Sequence, residues 1–254
     1  MLKSNTSRVI AYFTAEYQPD AALVGKLPSA AEVIRSEINS VHWGVSSGAG
    51  FVLREPTKRL LVVVDINRVW WQMLGLDVWQ ENLSAFATKI SETLGVLGVK
   101  RLRRISFKTT AFLPLQMSHA EMTTLFFGGF LAPSVELEGI CGKPDDCLLQ
   151  LHGHRAGMKL TLLLAPQTPD QAGGAVMAVQ NLAQFLEPQM LDQGVKEFRD
   201  RVAQECLLVD VDLFRLDLAV GEVPSFIRSS LDEADKITDA AVSKLKSLRS
   251  KRGF

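Results

Sequence analysis

The chain has 254 residues with 47% hydrophobic character, enough for one large domain or two small ones and too apolar for wholesale disorder. Lys+Arg and Asp+Glu both number 28, so the formal net charge is zero and the overall basic excess of a generic polyanion binder is absent. Three cysteines make no disulfide scaffold, no apolar run reaches the length of a membrane span, and Met1–Ser7 lacks a signal-like pattern, so the expectation is a cytoplasmic protein with no membrane attachment.

Arg8–Tyr17 alternates and is rich in β-branched and aromatic residues, which predicts a strand. Ser29 followed three residues later by Glu32 has the spacing of a capping box and predicts a helix start there. Strands are expected at Val41–Ser46, at Phe51–Leu53 and, as one long element, at Arg59–Trp71. Within the last, Leu60–Val64 is continuously apolar, as in a strand buried on both faces. A helix from Asp77 to about Leu97 carries Trp79, Leu83, Phe86, Ile90, Leu94 and Leu97 on one stripe. Leu102–Phe112 reads as a strand ended by Pro114, and Ser118 with Glu121 opens a short helix.

Strands follow at Val135–Cys141, Cys147–His152 and Met158–Leu164. Thr168-Pro169-Asp170-Gln171 is a helix start with a cap, a first-turn proline and a glutamine three residues after the cap. Leu207–Val220 is a strand, and Pro224 to about Ser250 is a final long helix. The order predicts an α+β protein of antiparallel sheets with helices packed on one face. It also suggests a duplicated βββαβα unit, residues 1–130 carrying a leader strand and helix plus the first copy and residues 131–254 the second, in two domains or one continuous one.

Candidate chemistry is sparse. Cys141, Cys147, His152 and His154 bring zinc-preferred ligand types close together, but Cys-x₅-Cys is not a knuckle spacing, and the competing reading is buried thiols on a hairpin with two polar histidines. His119, just after a cap position, is expected to face solvent. Asp210 and Asp212 lie at i and i+2 of a strand, so both carboxylates share one face, as a metal-dependent hydrolase or nuclease would need; the competing reading is an ordinary polar face. Asp217 has the opposite parity. Lys100, Arg101, Arg103 and Arg104 form the one dense basic run, able to hold phosphates, nucleic acid or an acidic partner. Adjacent Trp70 and Trp71 cannot both face one core, which points to an interaction surface at one of them. Phosphate-loop, dinucleotide and nucleophile-elbow motifs are absent, so no cofactor is expected.

Three segments carry a resemblance: Trp43–Ser47 with Leu60–Val64 and Trp79; Val99–Phe107; and Leu208–Phe214 with its Asp-hydrophobic-Asp core. In them, and in its order of elements, the chain resembles a family of bacterial proteins of about this size, scattered sporadically across genomes and without an assigned function. Lys108-Thr109-Thr110 stands where that family has a tyrosine-asparagine motif. Scattered occurrence is common among defence genes. The resemblance therefore implies an antiviral-defence or stress setting but supplies neither an activity nor catalytic residues. The leading expectation is a non-catalytic interaction subunit or adaptor with a protein partner. A metal-dependent hydrolase or nuclease and a nucleic-acid binder at Lys100–Arg104 are the alternatives.

Overall fold

The computed structural model of the protein describes residues 8–36, 44–45, 50–55, 60–74, 83–129, 146–172 and 203–252. Nine strands join in one sheet: β1 (Arg8–Glu16), β2 (Gly44–Val45), β3 (Gly50–Glu55), β4 (Leu60–Asp65), β5 (Arg68–Leu74), β6 (Arg101–Leu113), β7 (Leu149–Arg155), β8 (Met158–Gln167) and β9 (Cys206–Ala219). Their spatial order is β2-β3-β4-β5-β1-β6-β9-β8-β7, and every neighbouring pair is antiparallel. Four α-helices are described: α1 (Leu27–Arg35), α2 (Leu83–Leu97), α3 (His119–Gly129) and α4 (Val223–Arg252).

Period-two alternation divides the sheet into two chemistries. One face carries Ala11, Phe13, Val62, Val64, Trp71, Ile105, Phe107, Val209, Val211 and Leu213, all buried. Against it pack the apolar stripes of the helices: Leu27, Ala30, Ala31 and Ile34 of α1; Ile90 and Leu94 of α2; Met122 and Leu125 of α3; Ile227, Ala234 and Leu245 of α4. The fold is therefore α+β, with helices on one face of an antiparallel sheet. None of the described helices is long and apolar enough to cross a membrane.

The sequence expectations need four corrections. Arg59–Trp71 is not one strand but the hairpin β4–β5, folded at Asp65-Ile66-Asn67. The Asn67 amide donates to Asp65 Oδ1 at 3.2 Å, an Asx-type turn. Tyr17 clamps that turn, its hydroxyl donating to the Asp65 carbonyl and its amide to the Asn67 carbonyl. Consequently four strands, not three, lie between α1 and α2. Second, α1 begins at Leu27 rather than at Ser29. It is entered from a 3₁₀ turn (Ala21–Lys26) capped by Asp20, so it needs no cap of its own, and Glu32 pairs with Arg35 instead. Third, His119 is not solvent-facing; its side chain is only 12% exposed and lies 3.6 Å from Asp146. Fourth, β1, read as a leader ahead of the first unit, inserts between β5 and β6.

Other expectations hold. Ser118 caps α3 by accepting the Glu121 amide at 3.1 Å, while the Glu121 carboxylate pairs with Arg249 of α4 at 2.9 Å. Thr168 and Gln171 form the reciprocal capping box, at 2.8 and 3.3 Å. At the end of α2 the Val99 and Gly98 amides return to the Leu94 and Gly95 carbonyls, with Gly98 at φ 79°, the left-handed cap that glycine accepts without strain. The strand expected at Val135–Cys141, together with Trp43 and Trp79, lies outside the described residues.

Trp71 anchors the helix-side core. It stacks on Phe13 at 5.6 Å and meets Phe86 and Phe107 edge-on at 5.2 and 6.2 Å. Trp71→Ala is expected to cost about 3–5 kcal/mol, the range for a large aromatic truncated in a core. Trp70→Ala, on the opposite face and half-buried, is expected to cost clearly less. Urea unfolding of the two variants measures the difference.

Candidate functional site

The sheet face away from the helices carries the chemistry. Register carries polar rows straight across it. One runs Gln72, Tyr12, Lys108, Asp212, Thr161, His152 on β5, β1, β6, β9, β8 and β7. The next runs Trp70, Thr14, Ser106, Phe214, Lys159, His154. Over β1, β6 and β9 these rows line a groove of about 500 Å³, walled by Ile10, Phe112 and Leu208 at one end and by Thr14, Ser106 and Asp212 at the other. Beyond the apolar end, Ile10 and Phe112 belong to a second, smaller apolar cluster with Val52, Leu61, Val63, Ala172 and Cys206.

Asp210 and Asp212 do share one face, as alternation requires. Neither is a free carboxylate. Lys108 reaches Asp210 Oδ2 at 2.9 Å, and the Thr110 hydroxyl donates to the same oxygen at 3.2 Å. Arg104 meets Asp212 Oδ2 at 3.3 Å, and its guanidinium also lies 4.7 Å from the centre of the Phe214 ring, which Lys159 approaches at 5.8 Å. Burial pushes the Asp212 carboxyl above the ordinary aspartate value of 3.8, and Arg104 and then Lys108 pull it back. Tyr12 is pushed above 10.0, first by burial and then by the charge of Asp210, so its phenol stays a donor at neutral pH.

The basic run is dispersed rather than continuous. Asp217 takes a left-handed φ of 55°, which a short polar side chain tolerates. Around it the inward-facing set changes parity, from Ile105 and Leu213 to Leu102 and Leu218. Arg101 is thereby turned outward onto Asp217, with Nε 2.6 Å from Oδ1, while Arg104 lies on the polar face. Lys100 and Arg103 are exposed. Of the two tryptophans, Trp71 belongs wholly to the core and presents no surface; Trp70 is the one that reaches the polar face.

The described members of the Cys/His set, Cys147, His152 and His154, are not brought together as a metal centre. Cys141 lies outside the described residues. His152 and His154 are exposed on β7, where His152 contacts Gln150 and Thr161. Cys147 sits before β7, packed against the core, its thiol pushed up to about 11 by burial and by Asp146. No group of three or more His, Cys, Asp or Glu able to hold a metal ion occurs among the described residues. No family model matches the chain, and no curated protein is significantly similar to it.

Sequence reasoning missed the cation partners of the two aspartates. Lys108 and Arg104 are distant in sequence and meet β9 only through register. It also missed Tyr12 and Thr14, because β1 gave no sign of its neighbours.

Raised in the fold, the Asp212 pKa means the folded chain takes up this proton before the unfolded chain does. Its contribution to stability therefore improves as pH falls through the folded value toward 3.8. Arg104→Met, which removes the largest downward influence, is expected to move the Asp212 midpoint higher still, as read by carboxyl-carbon NMR titration. Cys147 and Cys206, both pushed up to about 11, are expected to resist iodoacetamide at pH near 8 until the protein unfolds, as peptide mapping would show.

Proposed function

We propose that the protein is a non-catalytic interaction subunit, and that the polar face of β1, β6 and β9 is where a partner polypeptide docks. One observation carries the reading: the carboxylates that could have served a metal are each neutralised by a cation from the adjacent strand. A two-metal hydrolase needs carboxylates free to ligate, and a polyanion binder needs unpaired positive charge. A charge-balanced groove edged by hydroxyls and half-buried aromatics instead suits a polypeptide, which presents donors, acceptors and side chains of both signs. The dispersal of Lys100, Arg101, Arg103 and Arg104 counts against the nucleic-acid reading. A cytoplasmic setting, a bacterial defence or stress module and kinship with the sporadic family belong to the same proposal. So does an ancestral duplication, for which the strand-then-helix pairs β6–α3 and β9–α4, meeting at one antiparallel seam, are the support.

The test compares the tagged full chain with Ser106→Arg, which fills the groove rim without touching the helix-side core. Both are recovered from the native host and analysed for protein and metal together. A stoichiometric polypeptide held by the wild type and lost by an equally stable Ser106→Arg is the expected result. One zinc or manganese ion per chain, lost on Asp210→Asn, overturns it.

A further inference from the structure

The groove has unspent hydrogen-bonding capacity of both kinds, and its arrangement narrows what enters. Asp210 spends Oδ2 on Lys108 and Thr110, while its Oδ1 takes no hydrogen bond from the described residues. Tyr12 lines the same groove as Asp210, one row along from it across β6, and burial and the charge of Asp210 keep its phenol protonated. No hydrogen bond ties that hydroxyl to the described residues. Lys108 has three N–H donors and gives one to Asp210. An incoming group therefore meets a spare carboxylate oxygen beside spare ammonium and phenol donors. Ile10, Phe112 and Leu208 close the end next to Asp210.

A primary ammonium answers the carboxylate. A lysine side chain or simple amine has no acceptor to offer Lys108 and Tyr12. An α-aminoacyl group has both: an ammonium and, three bonds away, a carbonyl oxygen. A free carboxylate or phosphate fares worse, because it would meet both Asp210 and Asp212. Resting on the docking reading above, we propose that the groove receives the free N-terminus of the partner polypeptide, with its α-ammonium on Asp210, its first carbonyl on Lys108 and Tyr12, and a small apolar first side chain against Ile10, Phe112 and Leu208.

The probe is the tripeptide amide Ala-Gly-Gly, titrated into the full-length protein and followed by NMR shifts of groove residues. Binding is expected at millimolar peptide. N-acetylation should weaken it by about tenfold or more, since a charge-assisted bond is lost. n-Butylamine, a lysine mimic, should also bind more weakly. Affinity should fall as pH rises past about 8, where an α-amino group loses its proton. Tyr12→Phe, which keeps the ring and removes only the donor, should weaken binding with unchanged thermal stability; Asp210→Asn should weaken it further. Equal binding of free and acetylated peptide, or none at all, overturns the inference. If the native partner is still lost on Ser106→Arg in that case, the docking reading stands and only the N-terminal assignment falls. If that capture is also insensitive to Ser106→Arg, both fall.

Discussion

The pairing of β6 with β9 is the constraint on which the rest of the structure depends. These are the two longest strands, thirteen and fourteen residues, and they run antiparallel through the middle of the sheet. Each carries two incompatible faces. Ile105, Phe107 and Ala111 on β6, with Val209, Val211 and Leu213 on β9, must leave water, and α2, α3 and α4 supply that cover with β1 and β8 alongside. Ser106, Lys108, Asp210 and Asp212 alternate with them and must not be buried unpaired. A slip of one residue would drive both aspartates into the helix-side core, at a cost of several kcal/mol for each uncompensated charge. The polar residues thus specify the register as firmly as the apolar ones do.

That role also fits their modest energetics. Lys108 is 42% and Asp210 19% exposed, and Arg104 and Asp212 are 39% and 22% exposed. Pairs so placed contribute little net stability, because solvent screens them and holding the side chains costs entropy. Their effect lies in discrimination: they penalise wrong pairings and set the charge balance of the groove. The left-handed Asp217 sets where that polar face stops, turning Arg101 outward and dividing a basic run that looks continuous in one dimension.

Much of this was legible from local pattern. The i, i+2 parity of Asp210 and Asp212, the stripe of α2 and the caps at Ser118 and Thr168 depend only on neighbours in sequence, and the structure keeps them. What could not be read depends on distance. The apolar run Leu60–Val64 concealed the turn at Asp65 and Asn67, because two-faced burial erases the alternation that marks a strand's end. Nothing near Arg8 announces that β1 will separate β5 from β6. His119 looks like an exposed residue after a cap until Asp146 and Glu205, brought from two later segments, close over it. The ion partners of Asp210 and Asp212 belong to the same category: register selects them, and register is a property of the whole sheet.

That same register sets the electrostatics of the two aspartates. In isolation, an Asp-x-Asp strand invites a divalent ion, since two carboxylates on one face are the beginning of a ligand set. In the sheet, β6 delivers a lysine and an arginine to the same two carboxylates. A cation entering there would have to displace an ammonium 2.9 Å from Asp210 and a guanidinium 3.3 Å from Asp212, leaving both positive groups beside it. Like-charge repulsion in a partly desolvated groove opposes that arrangement. A ligand that brings its own acceptor together with its own positive group leaves both ion pairs in place and uses only capacity they leave over. The sheet's charge pattern therefore disfavours metal chemistry at these aspartates, and it supports the proposed recognition of a group with a donor and an acceptor side by side, such as the end of a polypeptide chain.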